Sequence, residues 1–309
     1  MRTAFIDTLC ELAEQDERIW LLTGDLGYSV LERFANRFPG RFVNMGVAEQ
    51  NMTGVAAGLA LCGKVVFTYS IANFPTLRCL EQIRNDVCYH NLNVKIVAVG
   101  GGLAYGAQGM THHATEDLAI MRALPNMTVV APGDPVETRL ATRAIVDWPG
   151  PCYLRLGKAG EPVVYVTEPR FKIGTIIRMA EGDKALIIST GGMLSTALKA
   201  AQMASKYSHS VAVWSCPCLK PLDREAVVTA AARFALIMTI EEGQVSGGLG
   251  GAVAEILASL PSPRARLVCA GVPDAFLGEA YSQEGARTKL GLDASALYER
   301  LEAILSGGV

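Results

Sequence analysis

The run Gly46-Val47-Ala48-Glu49-Gln50-Asn51 stands between a β-rich segment, Arg41 to Met45, and a stretch of small apolar residues, Gly54 to Ala60. A strand that turns at glycine into a helix is the elementary unit of a parallel α/β sheet. Glu49 falls at the start of that helix, where a carboxylate complements the helix dipole and needs no further role. On local grounds alone, that is the simpler account. The same alternation recurs outward from this point. Arg18 to Leu22, Val65 to Tyr69, Val94 to Val99, Thr128 to Ala131 and Cys152 to Arg155 read as strands between segments of helical spacing. The expected class is α/β, with parallel or mostly parallel sheets flanked by helices. Several strands run into polar or glycine turns, at Thr23-Gly24-Asp25, Met45-Gly46 and Val99 to Gly102. The carboxyl ends of strands are where open α/β sheets bind ligands.

The pattern breaks after Gly157, in a stretch holding Pro162, Pro169 and Gly174, and resumes at Lys184 to Ser189. A helix at Leu194 to Lys206, a strand near Ser210 to Trp214, a helix from Asp223, a strand at Leu236 to Ile240 and a helix after Gly250 follow. Two domains are therefore expected, residues 1–165 and 183–309, joined by a linker at 166–182.

Composition removes several function classes. Half of the 309 residues are hydrophobic, and 28 basic residues against 30 acidic ones leave a net charge of −2, which suits well-cored domains and not a disordered chain. The basic residues form no stripe, so nucleic acid is not an expected partner. No apolar run reaches the length of a bilayer span, so no membrane anchor is expected. Thr3 to Glu14 alternates apolar and acidic residues at helical spacing and reads as a mature cytosolic start. The eight cysteines sit mostly in apolar runs, as small buried hydrophobes in a reducing cytoplasm would. Cys216-Pro217-Cys218 has too short a spacing for the usual zinc pair, and no second pair follows, so no metal site is expected on this chain.

Taken with Gly54-Val55-Ala56-Ala57-Gly58-Leu59-Ala60, the Gly-Val-Ala-Glu-Gln run resembles the pyrimidine-binding domain of the transketolase and 1-deoxyxylulose-5-phosphate synthase family. The resemblance implies thiamine diphosphate as cofactor and Glu49 as the catalytic acid at N1′ of its aminopyrimidine. Tyr69 to Phe74, followed by Arg78 and Glu81 to Asp86, is similar to the family segment that packs on the pyrimidine ring. It makes Phe74 the stacking residue, with Tyr69 and Ile71 beside it and Arg78 and Asp25 as further cofactor contacts. Gly100 to His113 resembles the family's substrate-lining loop, so His112 is implied as a donor-pocket imidazole able to assist proton transfer. Arg2, Ser29 and Arg155 match the family's anion contacts on the substrate side. Thr239 to Gly243, Gly247 to Glu255 and Gly271 to Asp274 are similar to the transketolase C-terminal domain, which extends the resemblance over essentially the whole chain.

Three departures carry as much information as the matches. The loop has Ala107-Gln108 in place of an acidic pair that contacts a donor hydroxyl, and Gly100 in place of a phosphate-contacting histidine. With Gln108 at the substrate, a different or modified sugar is implied, because the buried hydroxyls must be satisfied differently. Gly24-Asp25-Leu26 breaks the Gly-Asp-Gly motif that carries the divalent metal, and no asparagine partner follows. The chain is thus expected to grip only the pyrimidine end. A separate N-terminal subunit would bind the diphosphate with its Mg2+ or Ca2+, in an α2β2 heterotetramer with sites formed across the subunit contact. The implied reaction is transfer of a two-carbon ketol unit between sugars or sugar phosphates. The alternatives are a decarboxylating relative, such as a 2-oxo acid dehydrogenase β subunit or a split 1-deoxyxylulose-5-phosphate synthase, and a catalytically silent partner subunit.

Overall fold

A computed structural model describes residues 1–206, 209–262 and 264–307. Twelve strands are present among them: β1 (Ile19–Thr23), β2 (Phe42–Asn44), β3 (Val65–Ile71), β4 (Val94–Val99), β5 (Thr128–Val130), β6 (Cys152–Leu156), β7 (Ile177–Ala180), β8 (Ala185–Ser189), β9 (Val211–Ser215), β10 (Cys218–Lys220), β11 (Leu236–Gln244) and β12 (Arg266–Val272). They form two sheets, ordered β10-β5-β6-β4-β3-β1-β2 and β12-β11-β8-β9-β7. Every pairing is parallel except β10 with β5 and β7 with β9, both at sheet edges. The α/β class with mostly parallel sheets is as the sequence pattern indicates.

The central strand β4, Val-Lys-Ile-Val-Ala-Val, is buried along its whole length, the mark of a strand covered on both faces. Val97 and Val99 join a core with Phe5, Leu9, Ala141 and Ile145 from the helices Arg2–Gln15 and Pro135–Asp147. Val94, Ile96 and Ala98 join another with Met52, Ala56 and Ile83. This alternation follows from the period of two along a strand. Lys95 is the polar exception. Its buried ammonium, whose pKa burial pushes down, donates at 2.7 Å to the carbonyls of Trp148 and Gly150, which offsets the cost of removing it from water.

Three strands have no counterpart in the sequence reading, β12 and two short ones. Ile177–Ala180 lies inside the stretch expected as linker, yet it pairs as β7 on the edge of the second sheet. Cys218–Lys220 returns from the second half of the chain to close the first sheet against β5, with Ala131 N–H donating to the Pro217 carbonyl at 2.8 Å. Among the described residues no helix is long and apolar enough to cross a membrane.

Candidate active site

Glu49 begins the helix Glu49–Leu61, which follows β2 through a turn with Gly46 at φ +68°, a backbone conformation that favours glycine. Its side chain is 4% exposed. Gly24, just after β1, packs closely on it: a Cβ there would lie 3.3 Å from Glu49 Cγ, tighter than an ordinary contact. Both carboxylate oxygens accept from Arg78 Nη1 at 3.3 Å.

Arg78 closes a π-helical turn, Phe74–Arg78, set directly after β3. Such turns insert one residue into a helical ladder and recur at functional sites. Here the turn places the Arg78 guanidinium 4.2 Å from the Phe74 ring centroid. The His112 ring meets Phe74 edge-on at 5.3 Å, and Asn73 Nδ2 donates to the Thr111 carbonyl, tying this turn to the glycine-rich loop. Glu49, Arg78, Phe74 and His112 thus form one continuous cluster drawn from three separate segments.

The other expected site residues divide. Ile71 is half-buried at the end of β3. Asp25 is exposed in the loop after β1 at φ +56°, where hydrogen bonds from Asn44 Nδ2 and the Tyr28 hydroxyl hold its carboxyl below the ordinary pKa. Ser29, at φ +63°, and Gln108 are also exposed. Tyr69 is buried with its ring stacked on Phe5 at 6.1 Å, and burial pushes its hydroxyl pKa up while the nearby Arg2 cation opposes the shift. Its ring therefore belongs to the core more than to an open pocket. Arg155 is also buried. Its Nε donates to Asp117 Oδ2 at 2.8 Å, and its Nη2 donates to the carbonyls of Ala114 and Glu242, at the seam between the two sheets. None of these contacts is with the Glu49 cluster.

Two structurally engaged residues were not singled out as site residues in the sequence reading. Tyr105 lies 6.2 Å from His112 by ring centroid, with Lys158 over its own ring at 4.8 Å. It explains Gly100: a Cβ at that position, φ +73°, would fall 2.0 Å from Tyr105 Cε2, so the aromatic ring fills the space a side chain there would need. Asp117 is the second, and the only signal for it was an acidic residue opening a short helix. Among the described residues no group of three or more His, Cys, Asp or Glu stands close enough to hold a metal.

A buried carboxylate beside an aromatic face and an imidazole suits a heteroaromatic ligand with a ring nitrogen to be protonated. The comparisons agree with that chemistry. Residues 1–160 match the transketolase pyrimidine binding domain and residues 174–297 the transketolase C-terminal domain. One chain of an apulose-4-phosphate transketolase from Phocaeicola vulgatus is 40% identical over 285 residues, 92% of this chain and 90% of that one. A 6-deoxy-6-sulfo-D-fructose transketolase subunit from a Clostridium species is 38% identical over 299 residues, 96% of this chain and 92% of its own. Among solved structures, an inactive β4 tetramer of a split-gene transketolase superposes with a TM-score of 0.89 at 40% identity, covering 99% of this chain and 97% of that one. Matched over both of its halves, the chain belongs to the transketolase family, as the subunit of a split transketolase that carries the pyrimidine-binding and C-terminal domains.

Proposed function

We propose that this chain, in the cytoplasm, pairs with a diphosphate-binding subunit in an α2β2 assembly and transfers a two-carbon ketol unit between phosphorylated or otherwise modified sugars. The observation that carries the reading is the Glu49–Arg78–Phe74–His112 cluster, a buried carboxyl beside an aromatic face that suits a pyrimidine ring. Thiamine diphosphate, when bound, would supply the nucleophilic carbon that a ketone donor requires. The chain's residues do the rest. Glu49 presents its carboxyl to the pyrimidine ring nitrogen as the acid that bonds to it. Phe74 offers its ring for stacking, flanked by Ile71 and Tyr69, and Arg78 keeps Glu49 paired until the cofactor ring takes its place. Asp25 bounds the cofactor side from the loop after β1.

On the substrate side, Arg2 and Ser29 grip an anionic group, His112 exchanges a proton with a donor hydroxyl, and Gln108 presents an amide to the sugar. Arg155, bonded to Asp117, serves this side by holding the Gly101 turn in place. Gln108 and Gly100 fit substrates other than the usual ketose phosphates. That the two relatives are named for apulose-4-phosphate and 6-deoxy-6-sulfo-D-fructose supports this. The β4 tetramer described as inactive supports the need for a second kind of subunit, whose site would hold the Mg2+ or Ca2+. Eight free cysteines suit the reducing compartment. Calorimetric titration with thiamine diphosphate and Mg2+ tests the reading: the chain alone gives no tight binding, and the reconstituted pair binds and turns over a ketose donor. Tight binding by the purified chain alone sinks it.

A further inference from the structure

The glycine-rich loop that carries His112 is anchored at two places. Gly102 and Ala114 pair across its base, N–H to carbonyl at 2.8 and 2.9 Å. At Gly106 the loop packs so closely on the second domain that a Cβ there would lie 2.6 Å from the Tyr281 carbonyl oxygen. Tyr105 stands between these anchors with its ring over Gly100. A side chain locked in this way keeps one orientation, which a residue must do to discriminate between ligands.

Its hydroxyl is the uncommitted group. Among the tyrosines around the Glu49 cluster, Tyr28 donates to Asp25 at 3.1 Å, and Tyr69 is 1% exposed and stacked on Phe5. The Tyr105 hydroxyl has no hydrogen-bond partner among the described residues and is not sealed from solvent. Its Cζ would stand 3.2 Å from a Cβ at Gly100, so the hydroxyl reaches about as far from the backbone as the tip of a side chain built there. Burial raises its pKa while the nearby Arg2 cation opposes the shift, and the phenol stays a neutral donor at physiological pH. The rings of Tyr105 and His112 are 6.2 Å apart by centroid, and the exposed Lys158 ammonium lies 4.8 Å from the Tyr105 centroid. A free phenolic donor with two cations and an imidazole around its ring suits an oxyanion on the molecule that meets His112. Packing does not call for the hydroxyl, since a phenylalanine ring would fill the space over Gly100 equally well.

We propose that Tyr105 is a specificity-determining residue of the donor pocket, whose hydroxyl donates to the terminal oxyanion of the sugar held at His112. The proposal deepens the transferase reading and rests on it for where the donor lies. Gly100 belongs to the same device, because its lack of a side chain lets the phenol take that position.

The reconstituted pair is assayed with fructose 6-phosphate and with fructose as donors. Tyr105→Phe keeps the ring and removes the donor group. The ratio of kcat/KM for the phosphorylated over the unphosphorylated ketose is expected to fall about tenfold, chiefly through KM. An equal loss with both donors would make Tyr105 a packing residue, and an unchanged ratio would put the oxyanion elsewhere; either result overturns the proposal. Calorimetry supplies an arm that needs no turnover. Glucitol 6-phosphate, which lacks the reactive ketone, is titrated into the full chain at constant ionic strength, with glucitol as control. Tyr105→Phe should weaken the phosphate-dependent binding about tenfold. Binding no stronger than that of glucitol, or binding indifferent to the substitution, ends the claim. Tyr105-dependent binding in a reconstituted pair that turns over no ketose would sink the transferase reading alone, so the two fail separately.

Discussion

Glu49 is asked to be both buried and polar, and the surroundings show how this is met. Gly24 packs closely on it, and Arg78, whose own side chain is half exposed, supplies the counter-charge. A pair with one partner in solvent contributes little to stability, so the carboxylate is better understood as placed for chemistry than for folding. Glu49→Gln keeps the shape and removes the acid. It is expected to lower kcat of the assembled enzyme by about 10²- to 10⁴-fold, while assembly and the thermal midpoint stay unchanged. Steady-state rates with a ketose donor check this, and an unchanged kcat would return Glu49 to a capping role. Glu49, Phe74 and His112 were legible in the sequence because each sits in a run whose neighbours fix its place. Arg155 was read from the sequence as a substrate-side anion contact at a strand end, without its buried ion pair. Its acceptor Asp117 is 38 positions away, and nothing in local spacing reports a partner at that distance or the glycine at 101 that makes room beside it. Tyr105 and Gly100 were unreadable as a pair for the same reason: the ring fills the vacancy only after the loop folds.

One buried hydrogen-bond chain joins the elements that carry the site. Thr76 Oγ1, in the π-helical turn, lies 3.1 Å from the Tyr153 hydroxyl of β6, and that hydroxyl donates to Asp117 Oδ2 at 2.8 Å. Asp117 pairs with Arg155, which reaches the Glu242 carbonyl on β11. The turn bearing Phe74 is thereby braced against both sheets. Removing Asp117 would leave a guanidinium buried without its charge partner, and Asp117→Ala is expected to cost about 3–5 kcal/mol. A lowered urea midpoint at unchanged slope measures it. The exposed pair of Arg143 with Glu11 is the control, because Arg143→Ala there should cost no more than about 1 kcal/mol. A loss at Asp117 as small as the control would mean that another acceptor already satisfies Arg155. Long, fully buried strands such as β4 announce themselves by apolar runs, here interrupted only by Lys95. β7 and β10 do not, since a strand of three or four residues on an edge is too short to show a period and is fixed by its partner. The π-helical turn is equally silent, because its extra residue leaves no spacing pattern of its own.

For the whole molecule, the decisive feature is the outer face of the helix that Glu49 begins. Gly54 and Gly58 are exposed one turn apart, and a Cβ at either would meet nothing within 4 Å inside this chain. Glycine within a helix costs up to about 1 kcal/mol relative to alanine, so nothing in the chain itself accounts for them. Large apolar side chains are also exposed at the two ends of this helix, Val47 at 76% and Leu61 at 69%, and in or just after the segments packed against it, Leu77 at 50% and Tyr89 at 80%. Grouped exposure of this kind marks a contact surface, and bare glycines let a second backbone approach closely. The proposed partner must bring the diphosphate to a ring anchored at Glu49, so it has to close over this end of this helix. Gly54→Arg therefore separates the two requirements. Arginine is a good helix former, and the free chain should melt at the same temperature or slightly higher. The same side chain stands in the path of the partner, and reconstitution should fail, with no heterotetramer by size-exclusion chromatography with light scattering and no ketol transfer. A variant that assembles and turns over normally would place the partner on another surface, and one that melts lower would show that Gly54 serves the fold of the chain itself.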